Sequence, residues 1–124
     1  YLNNPISIFI DKKDYIYICD TGNNRILIID DKYNFVDSIG KYGKDYGEFN
    51  FPSDIFVTDS NIYICDQKNN RIQVFNKNYK YEFEIGNKSK KEYENLNEPI
   101  SFLVDFENNI LVCDSKNNCV KIYD

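Results

Sequence analysis

The stretch Ile62 to Phe75, I-Y-I-C-D-Q-K-N-N-R-I-Q-V-F, recurs with small changes at residues 16–29 and 110–123. Each copy is a β-branched or aromatic run, then Cys-Asp, then a polar loop ending Asn-Asn, then a second apolar run. That is a β-hairpin written three times. The repeat is longer than the hairpin, because Pro5, Pro52 and Pro99 stand 47 residues apart, and Leu2, Phe49 and Leu96 each stand three residues before a proline. Cys19, Cys65 and Cys113 keep step with slips of one residue, which fall in the short turns ahead of them. A period in the forties with about four short strands per unit predicts propeller blades, because one small sheet cannot bury both faces and must stack on a neighbour.

The expected order follows this register. Blade one occupies residues 5–40, with strands at Ile6 to Asp11, Tyr15 to Asp20, Arg25 to Asp30 and Asn34 to Ile39. Blade two occupies residues 52–86, and an incomplete blade three residues 99–124, where the fourth strand is missing. The first strand, Ile6 to Asp11, is nearly without polar residues, which predicts burial on both faces. The connection from Gly40 to Pro52 carries Gly40, Gly43 and Gly47. The connection from Gly86 to Pro99 keeps only its first glycine. The chain has no methionine and begins inside the repeat, so it reads as an excised piece of a larger propeller: an open arc, not a closed ring. An arc with bare apolar end faces is expected to self-associate.

Within each hairpin the pattern places Asp20 opposite Arg25, Asp66 opposite Arg71 and Asp114 opposite Cys119. The chain holds 13 Lys and two Arg, and both Arg occupy this one position, which predicts a bidentate grip on the facing carboxylate. By this reading blade three has no cation at that position. The pairs Asn23 and Asn24, Asn69 and Asn70, and Asn117 and Asn118 tolerate left-handed backbone and can hydrogen-bond their own loops. Asp20, Arg25, Asp66, Arg71 and Asp114 are thus structural hairpin clips, and the six asparagines structural loop residues.

At these residues the chain resembles the NHL-repeat family of β-propellers. The resemblance rests on Asn61 to Phe75, on the connection containing Gly40, Gly43 and Gly47-Glu48-Phe49-Asn50-Phe51-Pro52, and on their copies. It departs at Cys119, where the family has arginine, and in the glycine-poor stretch between Gly86 and Pro99. The family includes ubiquitin-ligase substrate-recognition modules, RNA-binding regulators, receptor-kinase sensor domains and metal-dependent lyases, so the resemblance implies the fold and offers several functions. No RING-like Cys/His cluster is present.

Other chemistry finds little support in the residues. Cys19, Cys65 and Cys113 are expected to be buried, reduced thiols that favour a reducing, cytoplasmic compartment. The spacing of Cys113 and Cys119 puts their side chains on opposite faces. There is no C-x-x-C spacing for zinc and no histidine for acid/base work. Asp20, Asp66 and Asp114 could ring a calcium ion, but their arginine partners argue against it. No catalytic residue, metal ligand or cofactor is assigned. A formal charge of −5 opposes attraction to nucleic acid, and Lys88, Lys90 and Lys91 are followed at once by Glu92 and Glu94, as in a solvated loop. No apolar run approaches the ~18 residues of a membrane span. The expected function is a non-catalytic scaffold for a protein partner, with exposed tyrosines on loops as anchors. The alternatives are a hydrolase or lyase propeller whose catalytic histidines lie in other blades, and an RNA-binding NHL domain.

Overall fold

A computed structural model describes all residues, 1–124, as eleven strands in three antiparallel sheets. The first sheet comprises β1 (Ser7–Ile10), β2 (Ile16–Asp20), β3 (Arg25–Ile29) and β4 (Phe35–Ile39). The second comprises β5 (Pro52–Val57), β6 (Asn61–Asp66), β7 (Arg71–Asn76) and β8 (Tyr81–Ile85). The third has only β9 (Ser101–Val104), β10 (Ile110–Asp114) and β11 (Cys119–Tyr123), so the outer edge of β11 carries no strand. Each sheet is a simple meander in which every strand pairs with its sequence neighbour. The sheets stack face to face with β1, β5 and β9 side by side, giving an open arc of three blades.

Tight turns between strands share one device. Asp11 Oδ1 accepts the backbone N–H groups of Lys13 and Tyr15, and Asp30, Asn76 and Asp105 do the same in the equivalent turns. The side chain mimics a turn of backbone, which lets Asp14, Tyr33, Tyr79 and Asn108 take positive φ near 65°. Two crossovers between blades rest on glycine. Gly40 (φ 96°) and Gly86 (φ 100°) are left-handed, and a Cβ on either would run into the Phe49 ring or the Leu96 side chain. The apolar residue three positions before each of these prolines is thus a plug over the preceding glycine.

The core is not inside any blade but between blades. Tyr17, Cys19, Ile26 and Ile28 of the first sheet pack on Ile55, Val57, Ile62, Ile64 and Phe75 of the second. Tyr63, Cys65, Ile72 and Val74 on the opposite face of the second sheet pack on Phe102, Val104, Ile110 and Val112 of the third. Only blade two is covered on both faces, which corrects two expectations. β1 is buried on one face only: Phe9 packs on Phe56, while Ile8 and Ile10 point away from blade two and are exposed. Cys113 is exposed, whereas Cys19 and Cys65 are fully buried, because this position faces the following blade and blade three has none after it. All four cysteines are free thiols.

Candidate functional site

The Asp-x-x-Asn-Asn loop is built the same way three times. In each hairpin the aspartate ends a strand, the next three residues form one turn of 3-10 helix, and the second asparagine takes left-handed backbone, with φ of 51° at Asn24, 56° at Asn70 and 54° at Asn118. The aspartate side chain then ties three pieces of chain together. Asp20 Oδ1 accepts the Asn3 N–H at 2.7 Å, while Oδ2 accepts the Asn23 side-chain amide at 2.9 Å and Arg25 Nε at 2.7 Å. Asp66 repeats this with the Asn50 N–H, Asn69 and Arg71 Nε, and adds Gln73 Nε2 at 3.1 Å. Asp114 accepts the Asn97 N–H and Asn117.

The second asparagine reaches further, into the next blade. Asn24 Oδ1 accepts the Phe51 N–H at 2.8 Å, and Asn70 Oδ1 accepts the Glu98 N–H at 2.8 Å. The first asparagine of each pair therefore closes its own loop, and in blades one and two the second latches the connection leading into the following blade.

Two details of the clip differ from the sequence expectation. The arginine grip is not bidentate, because only Nε meets the aspartate. Arg71 instead spreads its fork: Nη1 meets Glu84 at 3.2 Å, and Nη2 donates to the Asp45 and Glu48 carbonyls at 3.0 Å. In blade three a cation reaches the aspartate from another position. Asp114 pairs in register with Cys119, but Lys121, two residues on, brings Nζ to 2.7 Å from Asp114 Oδ2 and also donates to the Asn95 carbonyl. Gln73 in blade two already reaches the aspartate from this position, so the compensation was open to a strand whose alternate side chains share a face.

The electrostatics follow from burial. All three aspartates are shielded from solvent. Burial alone would raise the carboxyl of Asp20, but the Asn3 N–H, Asn23 and Arg25 outweigh it and hold it below the ordinary carboxylate range. Burial is offset in the same way at Asp114 by the Asn97 N–H, Lys121 and Asn117. At the deeper Asp66 burial prevails and pushes the carboxyl up. Burial also pushes the Cys65 thiol up to about 12 and the Cys19 thiol higher still.

A second polar constellation escaped the sequence reading. Asp54 on β5 accepts Ser7 Oγ of β1 on Oδ1, and Ser101 Oγ of β9 together with the Phe102 N–H on Oδ2. It thereby stitches all three first strands. The signal was present: Ser7, Asp54 and Ser101 are two residues past Pro5, Pro52 and Pro99, polar residues at one repeat position.

These arrangements hold the chain together. Every buried side-chain nitrogen and oxygen has a partner, and no cluster of three or more acidic or cysteine side chains is arranged around a metal position. The connections between blades carry exposed aromatic rings. Tyr42 and Tyr46 on one connection and Tyr93 on the next are exposed. Tyr46 stacks on Tyr81 at 4.5 Å, with Lys88 Nζ 5.3 Å from its ring. Tyr93, Glu94, Ile85, Lys121 and Tyr123 border an open cleft of about 460 Å³ beside the free edge of β11.

Comparison with known proteins agrees with this architecture. The NHL repeat family matches residues 49–75, which run from the Phe49 plug through the connection and both central strands of blade two. No curated protein matches the chain. Among solved structures it is similar to a streptogramin B lyase, with 13% identity and a TM-score of 0.71 over 96% of this chain and 40% of that one. A protein of Bacteroides fragilis has 20% identity and a TM-score of 0.75 over 99% and 35%. Virginiamycin B lyase from Staphylococcus aureus has 12% identity and a TM-score of 0.66 over 97% and 41%. A variant of that lyase made catalytically inactive by a histidine-to-alanine change also matches. The chain thus spans 35 to 41% of the first three structures, and at these identities the likeness concerns the fold. With an NHL repeat matched in its middle blade and the same strand pattern on either side, the chain is a run of β-propeller blades.

Proposed function

We propose that this chain is part of a non-catalytic scaffold whose interblade connections bind a protein partner. The observation that carries the reading is where the polar side chains are used. The repeated Asp, Asn and Arg residues are consumed in holding loops, while Tyr42, Tyr46 and Tyr93 stand exposed on the connections, Tyr93 at the β11 cleft. Tyrosines of this kind anchor protein interfaces, since a ring offers large contact area with few rotatable bonds. The net charge of −5 favours a protein over a nucleic acid as occupant. A lyase reading would need histidine from outside these residues, because this chain has none.

Selection of peptides from a random display library against the immobilised chain tests the reading. Enriched peptides should lose at least tenfold in affinity to the Tyr46→Ala and Tyr93→Ala variants. Binding unchanged by both substitutions, or no enrichment over a blank surface, would overturn it.

A further inference from the structure

The connection from blade one to blade two is pinned to blade two by buried side chains. Arg71 Nη2 donates to the Asp45 and Glu48 carbonyls at 3.0 Å. Gln73, at the position held by Leu27 in blade one and Lys121 in blade three, accepts the Gly47 N–H on Oε1 at 3.0 Å. Its Nε2 donates to the Glu48 carbonyl at 2.7 Å. Tyr46 lies between these tied points, so its backbone is held on both sides. Its ring is held too. Tyr46 stacks on Tyr81 with centroids 4.5 Å apart, Tyr81 meets Phe75 edge-on at 6.1 Å, and Phe75 meets Phe49 at 6.0 Å. The rings form a stair from the buried Phe49 and Phe75 out to Tyr46, which is 63% exposed. Tyr81 packs toward blade one, and both neighbours of blade two are in place around this surface.

A cation stands beside the fixed ring. Lys88 Nζ lies 5.3 Å from the centre of the Tyr46 ring and 2.9 Å from Glu84. Glu84, and after it the Tyr46 phenol, raise Lys88 above the ordinary lysine range. Glu84 occupies one of the three donors of the ammonium and leaves the others open. The acids of this patch are turned inward, with the side chains of Glu84 and Glu48 3% and 19% exposed, while those of Lys88 and Lys41 are 59% and 79% exposed. Lys44 and Asp45, both exposed, offset one another. The surface is thus locally cationic on a chain of net charge −5.

We propose that Tyr46 and Lys88 together receive an acidic side chain of the partner, an aspartate or glutamate in an exposed segment, with the phenol and the ammonium donating to its carboxylate. The inference rests on the protein-partner reading and adds the chemistry of the segment bound. A ring and a cation held in place before binding lose little freedom when the partner arrives, so more of a modest surface contact survives as affinity. A nucleic acid fits this spot less well. Tyr81 already covers one face of the ring, and phosphates would approach a chain of net charge −5.

Three peptide display libraries, identical except for a fixed central pair of glutamates, glutamines or lysines, test this against the immobilised chain. Clones that lose affinity to Tyr46→Ala should come at least tenfold more often from the glutamate library than from the lysine library. For a selected peptide, Lys88→Gln should weaken binding about threefold to fivefold, the worth of an exposed ion pair. The same substitution should have no effect once the peptide's glutamates are replaced by glutamine. Lys12→Gln, at a side chain 85% exposed on a turn of blade one, should leave binding unchanged. Binding should also weaken as salt rises from about 0.05 M to about 0.5 M. Tyr46-dependent clones drawn equally from all three libraries would overturn the acidic partner and leave the protein-partner reading standing. So would equal losses from Lys88→Gln with either form of the peptide. No Tyr46-dependent clone from any library, or tighter binding of an oligouridine probe than of the selected peptide at the same salt, would overturn both.

Discussion

Replacing Arg71 by lysine is the sharpest probe of the clip, because the chain contains its own control at Arg25. The Arg71 side chain is 4% exposed and donates to Asp66, Glu84 and two backbone carbonyls. The Arg25 side chain is 31% exposed; it makes one short contact with Asp20, and its second, to the Tyr1 carbonyl, is 3.5 Å long. A lysine at 71 keeps the charge but concentrates its donors on one atom, which cannot reach Asp66, Glu84 and both carbonyls together. Two or more hydrogen bonds to buried groups are lost, at about 1 kcal/mol each, so Arg71→Lys should cost about 2–3 kcal/mol. Arg71→Ala leaves Asp66 buried without its cation and should cost about 3–5 kcal/mol. Arg25→Lys should cost no more than about 1 kcal/mol, in the range of a partly exposed pair. The surface change Lys68→Arg, at a side chain 46% exposed opposite Glu98, should be close to neutral. Urea unfolding of the four variants at one protein concentration reads these differences as shifts in midpoint at constant slope. Equal shifts for Arg71→Lys and Arg25→Lys would refute the idea that the guanidinium fork, rather than the charge, secures the loop.

The latch asparagine carries two separable contributions, and Asn70→Gly should cost about 1 kcal/mol for the lost bond to Glu98. Asn70→Ala should cost about 1–2 kcal/mol more, because alanine also resists the left-handed backbone; equal unfolding midpoints would contradict this. Under native conditions mass spectrometry after alkylation should find Cys113 and Cys119 labelled well before Cys19 and Cys65, whose thiols burial holds protonated. Stability should also fall in acid. Asp20 and Asp114 sit below their unfolded value of 3.8, so their contribution is complete above that value and is lost as pH falls through the depressed folded values. The urea midpoint should therefore decline below about pH 4, and Asp20→Asn should flatten that decline.

Much of this architecture is legible in the sequence because a repeat protein states its contacts several times. The 47-residue spacing of the prolines, the alternation within each hairpin and the Asp-to-Arg offset determine strand order, register and blade count, since a strand's side-chain period of two leaves one pairing that keeps every apolar residue on a covered face. Tertiary structure decided what those rules leave free. Whether the cysteine position is buried depends on the blade beside it, so the same repeat position gives a buried Cys65 and an exposed Cys113. The cation for Asp114 comes from Lys121, because packing brings any side chain on that face within reach, whatever register the motif leads one to expect. Asn24 and Asn70 bond to residues about 27 positions away in the next blade, and Asp54 bonds to strands 47 positions away on either side. Such partners are fixed by the stacking of one sheet on another, which local propensity does not encode.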